Sequence, residues 1–308
     1  MKEIYMFKNQ RLTLLLLLLC SITWGQKAQR IRVANSLIDE QSAIVKSGLY
    51  PDVYWVLNDS GDEARIFAIH ENGETVIPSF LKKKYKDEEK TPYTGIGILN
   101  AQNSDWESLA RIGDTLIIAD LGNNGNARRD LGLYLLPEPN PNNIYFTRVL
   151  QWLPVEYEGR NAWPSQELEY DCEAVFTVNS TIYALTKHRK DGNINRPKHT
   201  TNLYKLDTHY TDKTNILKKI DNDDHLGGWV TGADVSPNGK RLAVLIHSVI
   251  KPSIRIYTLP KEGEKFLSSE PQIIKIKKGK QCEGIVWKDN STLIITNEEQ
   301  YLITIVVE

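Results

Sequence analysis

The sequence predicts an all-β protein, a single five-bladed β-propeller, and three observations lead there. Long helical periodicity is absent, while short runs rich in Val, Ile, Tyr and Trp recur between clusters of Gly, Asn, Asp and Pro, as strands do between turns. A triplet of a polar, a small and usually an aliphatic residue recurs along the chain, each time followed by a turn and a second apolar strand with a polar exit. A spare strand near the N-terminus, Arg30 to Ala34, supplies the fourth strand that the last repeat lacks.

The first repeat opens at Ser42-Ala43-Ile44 and continues with Tyr54 to Leu57, Arg65 to Ile69 and Thr94 to Leu99. The second opens at Glu107-Ser108-Leu109 and continues with Leu116 to Ala119, Gly132 to Leu136 and Tyr145 to Leu153. Glu173-Ala174-Val175 opens the third, ahead of Ile182 to Leu185, Asn202 to Leu206 and Asn215 to Ile220. The fourth reads Gly232-Ala233-Asp234, then Leu242 to Ile246, Ser253 to Leu259 and Gln272 to Ile276. The fifth reads Glu283-Gly284-Ile285, then Leu293 to Ile295 and Tyr301 to Val307, and is completed by Arg30 to Ala34, so that the two ends of the chain pair. Radial repetition of such four-stranded sheets hides most strand edges. Length beyond compact blades falls in loops such as Lys82 to Pro92 and Lys190 to Thr201. A six-bladed ring and a β-sandwich are the alternatives.

Ahead of the repeats, Lys2, Lys8 and Arg11 precede an apolar run from Leu12 to Ile22, with the small residues Thr23 and Gly25 set for a cut before Gln26. This is the pattern of a secretory signal peptide over residues 1–25, which leaves residues 26–308 as one propeller domain in an extracytoplasmic, periplasmic or secreted, location. The run is shorter than the ~20 residues that cross a bilayer, so no transmembrane segment is expected. Cleavage is favoured over lipid attachment at Cys20, because Leu19 is bulky where lipoprotein signals carry small residues.

The formal net charge of −1, and a lysine tract (Lys82, Lys83, Lys84, Lys86) answered at once by Asp87, Glu88 and Glu89, argue against nucleic acid and anionic membranes as partners. A small-molecule or polymeric ligand and a monomeric chain are expected instead. Cys172 and Cys282 each precede a glutamate, and two buried small side chains at equivalent positions are favoured over a bridge.

First strands of propeller blades line the central channel, so Ser42, Glu107, Glu173 and Glu283 face the axis, with a gap at Gly232. Converging carboxylates repel one another unless a cation or protons sit among them. Calcium suits such an oxygen-only set; glutamates bound to backbone N–H groups or lining a wet channel are the alternative. The six histidines show no zinc-type pairing.

The polar exits of the second strands form another tier at one mouth: Asn58, Asp59, Asp120, Lys187, His188, His247, Asn297 and Glu298. Such a mixture suits a ligand or catalytic site, with ordinary turn chemistry as the competing account. Lys187 leaves an apolar strand and is suited to pair with an acid or bind an anion. In the loop from Ala119 to Asp130, with Asn123 in its glycine- and asparagine-rich turn, Arg128 and Arg129 are placed to fold back on Asp120 or hold an anion. No Gly-x-Ser-x-Gly, Ser-x-x-Lys or His-Glu-x-x-His motif is present.

Together, Trp55 through Asp62, Asp105-Trp106-Glu107, Ala119 through Asn124 with Arg128-Arg129, Asp171-Cys172-Glu173-Ala174 and Thr231 through Gly239 resemble exported bacterial propellers of the esterase-like phytase and SdiA-regulated type. That resemblance spans nearly the whole mature chain and implies fold and export. A looser similarity is to calcium-activated nucleotidases, five-bladed propellers with a central calcium. It implies Ser42, Glu107, Glu173 and Glu283 as ligands, with the fourth blade contributing Thr231, Asp234 or water. Nucleotide-handling residues have no counterpart.

The expected function is therefore a calcium-organised propeller that binds a ligand at the mouth of its channel. A calcium-dependent hydrolase of phosphoesters, lactones or other esters is the first alternative, with Lys187, Arg128 or Arg129 neutralising charge and His247 or a channel glutamate moving the proton. A protein-interaction propeller without catalysis is the second.

Overall fold

The computed structural model describes residues 28–87, 90–191, 193–248, 251–277 and 279–307. The expected signal segment thus lies outside the described residues. Every regular element described is a strand.

The chain enters through β1 (Gln29–Arg32) and then builds the first blade from β2 (Gln41–Lys46), β3 (Val53–Asn58), β4 (Arg65–His70) and β5 (Ile96–Leu99). The second blade uses β6 (Ser108–Ile112), β7 (Thr115–Asp120) and β8 (Gly132–Pro137). After it, β9 (Phe146–Arg148) crosses to the outer edge of the first blade before β10 (Gln151–Tyr157) completes the second. The third contains β11 (Asp171–Val178) and β12 (Thr181–Lys187), a short hairpin of β13 (Arg189–Lys190) and β14 (Asn193–Pro197), then β15 (Thr201–Leu206) and β16 (Asn215–Asp223). The fourth is β17 (Trp229–Val235), β18 (Arg241–His247), β19 (Ser253–Thr258) and β20 (Gln272–Lys275). The fifth is β21 (Cys282–Trp287), β22 (Thr292–Asn297) and β23 (Tyr301–Val306), and β1 joins β23 antiparallel with Gln29 opposite Thr304 and Arg32 opposite Tyr301. The ring is five-bladed and sealed by both ends of the chain, as the repeat count predicts.

Five apolar clusters, one at each seam between neighbouring blades, show that the ring is closed. Strand β3 shows how one sequence serves two seams. Trp55 and Leu57 pack toward the second blade, whereas Tyr54 and Val56 pack toward the fifth, as the two-residue strand period requires. Both faces of a blade are covered, so its middle strands read as unbroken apolar runs. Full burial of such side chains stabilises by about 1.5–3 kcal/mol each.

One expected strand is really two. Tyr145 to Leu153 divides, because β9 pairs parallel with β5 while β10 pairs antiparallel with β8. Gly97 permits this: a Cβ there would lie 2.5 Å from the Phe146 ring. At the opposite side of the second blade, β10 also pairs parallel with β16 of the third, giving one sheet of eight strands.

Candidate functional site

The inner strands β2, β6, β11, β17 and β21 stand around the axis. Four of them carry a bulge at their channel end, between Gln41 and Ala43, Cys172 and Ala174, Val230 and Gly232, and Cys282 and Ile285. A bulge inserts one residue and re-aims a side chain. The ring positions are therefore Ser42, Glu107, Glu173, Thr231 and Glu283, all lining one cavity. This corrects the fourth repeat by one residue: Thr231-Gly232-Ala233 is the true triplet, and Thr231 fills the gap assigned to Gly232.

In the fourth and fifth blades crowding dictates a glycine behind the ring position. A Cβ on Gly232 would meet the Glu283 carbonyl at 2.8 Å, and one on Gly284 would meet Thr296 Oγ1 at 2.4 Å and Ile44 N at 3.0 Å. The two hydroxyls knit adjacent blades. Ser42 Oγ donates to the Trp106 carbonyl (3.0 Å) and Thr231 Oγ1 to the Cys282 carbonyl (2.8 Å), in each case the residue just before the next ring glutamate.

The three carboxylates differ in their partners. Glu173, 2% exposed, accepts from Lys187 Nζ at 2.6 Å. Glu107 is 9% exposed, and among the described residues no hydrogen bond or ion pair reaches its carboxylate or that of half-buried Glu283. Burial, then repulsion from Glu173, drives the Glu107 and Glu283 carboxyls well above the ordinary glutamate range, with Lys187 opposing. Glu173 is raised too, by burial, against the pull of Lys187. Burial works against the Lys187 ammonium, but Glu173, Asp171 and Glu107 outweigh it and hold the lysine charged. A lysine thus supplies the positive charge that the carboxylate ring demands.

Around this ring the cavity, about 170 Å³, has a rim of Glu40, Asp59, Gln281 and Glu298, with Asn124, Trp229 and His247 at its side. Burial and the neighbours Glu40, Asp105 and Glu298 push Asp59 up to about 7, with Lys187 pulling the other way. Burial raises Glu298 as well, Glu40 adding to it. His247 stacks on Trp229 with ring centroids 6.2 Å apart, and Lys187 Nζ lies 5.6 Å from the Trp229 ring centre. Burial and then Lys187 lower the His247 pKa, so the ring is neutral, and its buried Nδ1 has no hydrogen-bond partner. Behind Lys187, Arg189 holds Asp171 and Asn124.

Of the residues expected to form the site, Ser42, Asp59, Glu107, Glu173, Lys187, His247, Glu283 and Glu298 line the cavity. The others do structural work. Arg128 folds back on Asp120 (2.9 Å) and Asp130 (3.2 Å), one of the two fates expected for it, and lies away from the cavity. Asn123 accepts from Arg128 N (3.0 Å) and donates to the Tyr170 carbonyl (2.8 Å). Asn58 donates to the Leu37 carbonyl and Asp62 (2.7 and 3.0 Å), and Asn297 to the Gly279 carbonyl (3.1 Å). Asp234 lines a different cavity at the other mouth, its carboxylate accepting from Trp287 N at 2.7 Å.

Glu40, Asn124, Trp229 and Gln281 were not expected in the cavity, and of the three candidates for the fourth blade, Thr231, Asp234 and water, it is Thr231 that lines it. The small residue common to all five triplets could have revealed Thr231; Glu40, Trp229 and Gln281 each stand two residues ahead of their ring residue, so the same strand alternation brings them to the cavity. Cys172 and Cys282 are buried and unbridged. Among the described residues, no three His, Cys, Asp or Glu side chains are gathered closely enough to hold a metal ion.

No family model and no curated protein matches the chain. Among 531 solved chains that match, one belongs to the crystal structure of the mitotic checkpoint complex, at 9% identity and a TM-score of 0.46, covering 91% of this chain and 94% of that one.

Proposed function

We propose that the protein is a binding propeller whose acidic channel mouth takes up a cation, a calcium-type ion being the expected occupant, and with it a small or polymeric ligand at the rim. The observation that carries this reading is the pair of channel carboxylates, Glu107 and Glu283, that among the described residues no hydrogen bond or ion pair reaches. Six carboxylates, of Glu40, Asp59, Glu107, Glu173, Glu283 and Glu298, face one lysine and a neutral imidazole. With Glu173 engaged by Lys187, the donors left for calcium are Glu107, Glu283, the hydroxyls of Ser42 and Thr231, and water. All are oxygens, which fits a hard, partly hydrated ion. When bound, such an ion supplies positive charge that can hold an anionic or hydroxyl-rich ligand.

The resemblance to exported propellers supports an extracytoplasmic setting, where calcium is abundant and residues 1–25 would be removed. A hydrolase is the second reading, favoured by His247, whose unpartnered Nδ1 is suited to accept a proton beside Lys187.

Calorimetric titration of chelator-stripped protein tests the first reading. Calcium is expected to release heat and raise the melting temperature, and a Glu107→Gln, Glu283→Gln double variant is expected to lose both effects. A parallel titration with putrescine separates a metal ion from an organic ammonium as the favoured cation. Silence of the wild type toward both removes the cation-receptor reading. Phosphoester and ester substrates, assayed with and without chelator on wild type and His247→Ala, decide the hydrolase reading.

A further inference from the structure

The channel has a second opening, chemically opposite to the first. Each inner strand runs from its ring residue at the acidic mouth to a far end, such as Lys46 of β2, roughly 13 Å away at the usual rise per residue. There the five strands enclose a cavity of about 330 Å³, twice the size of the acidic one and within the range of small-molecule sites. Every blade contributes an apolar residue to its walls, among them Ile44, Leu109, Val175, Ala233 and Val286, interleaved with the polar Thr177, Asn179 and Ser236.

Three charged side chains meet this cavity, and two are cations. Arg111 is fixed in place, its Nε donating to the Lys46 carbonyl (3.3 Å) and its Nη1 to the Gly113 carbonyl (2.5 Å). Gly48 makes room for it, since a Cβ there would lie 2.5 Å from Nη1. Among the described residues, the remaining guanidinium nitrogen has no hydrogen-bond partner. Lys46, on the adjacent inner strand, is steadied by one bond from its ammonium to the Lys288 carbonyl (2.7 Å), which leaves two of its donors free. The single acid, Asp234, accepts from the Trp287 amide, and burial pushes its carboxyl up to about 7 against the pull of that amide and of Arg111.

We infer that this mouth is a separate binding site for a small amphipathic carboxylate, its apolar body within the strand-walled cavity and its head group on Arg111 and Lys46. A planar, pre-positioned guanidinium matches a carboxylate in two parallel bonds, and the ammonium adds a second point of charge. A cationic ligand would meet an excess of like charge, and a neutral apolar one would make no use of the free donors of Arg111 and Lys46.

Isothermal titration of the full chain with sodium octanoate, beside octanamide as the uncharged match, tests this. The carboxylate is expected to bind at least tenfold more tightly than the amide, and Arg111→Met is expected to abolish that preference, as loss of a charge-assisted bond implies. Should Arg111→Met melt far below the wild type, Lys46→Met gives the same reading, with a partial loss of the preference. No heat with millimolar octanoate, equal affinity for acid and amide, or a preference unchanged in the folded variants would each overturn the inference. None of these outcomes depends on the cation at the other mouth.

Discussion

Replacing Lys187 by Met separates the two ways in which the acidic channel can be neutralised. Lys187 and Glu173 are 2.6 Å apart with 16% and 2% of their side chains exposed, so solvent screens the pair little. Removing one partner of a buried ion pair costs about 3–5 kcal/mol when the other must stay charged. Glu173 has another option, because burial already raises its pKa and loss of the ammonium raises it further. At pH 5 the carboxyl of the variant is neutral, and the loss shrinks to about 1 kcal/mol, the scale of one hydrogen bond. Above the value of about 8 that Glu173 has beside Lys187, the deficit grows with pH, reaching about 3 kcal/mol at pH ~9.5, which for a chain of this size corresponds to a fall of about 5 °C in melting temperature. Thermal unfolding followed by circular dichroism at both pH values, with Lys187→Arg as the charge-conserving control, gives the measurement. A deficit of equal size at pH 5 and at pH ~9.5 would refute the idea that lysine serves as the resident cation of the ring. Calcium is also expected to stabilise the Met variant more than the wild type, since Glu173 is then free to join the donor set.

Wild-type stability should decline as pH rises from about 5 to 8. The folded pKa of Asp59, near 7, and the raised Glu107, Glu173 and Glu283 all lie above their unfolded values, so the folded state holds protons that the unfolded state has lost. That contribution is complete below the unfolded carboxyl values and is lost as pH passes upward through the folded ones. A melting temperature that rises steadily from pH 5 to 8 in chelator would contradict it. Gly284→Ala should cost about 1–3 kcal/mol, the range for overpacking, because its Cβ has nowhere to go between Thr296 and the backbone of Ala43 and Ile44. Urea unfolding measures this, and an unchanged midpoint would show that the strands can separate there without strain.

The ring and its closure were legible in the sequence because each depends on apolar runs and on a triplet that the channel imposes five times. Three of the five ring side chains are glutamates, which sequence reading caught together with Ser42. In the fourth repeat regular counting opens the triplet at Gly232, one residue late, and Thr231 enters as one of three candidate ligands; the bulge between Val230 and Gly232 turns its side chain to the axis. The division of Tyr145 to Leu153 escaped for a different reason. Both halves are equally strand-like, and only the bare Cα of Gly97 lets Phe146 leave for the neighbouring blade. At the polar exits, residue type did not reveal direction. Asp59 and Glu298 reach the cavity while their neighbours Asn58 and Asn297 turn back to secure loops. Lys187 was read as an acid's partner or an anion's, and its actual partner, Glu173, lies just two positions along β11 from Asp171, the residue opposite it in the sheet.

The parallel joints at the perimeter bear on how evenly the channel can give. Strand β9 ties the second blade's chain to the first blade, and the pairing of β10 with β16 fuses the outer edges of the second and third. These three blades are joined by backbone pairing at the rim as well as by packing at the hub, whereas among the described strands the fourth and fifth meet their neighbours through side chains, such as Tyr257 with Asp223 and Lys288 with Glu71. Compliance should therefore be lopsided. Glu107 and Glu173 stand on the stiff arc, Thr231 and Glu283 on the softer one, so an incoming ion would be met mainly by movement of Glu283 toward a nearly fixed pair. Amide hydrogen exchange that is slow along β10 and β16 and faster along β20 would be the signature of such a hinged half-ring.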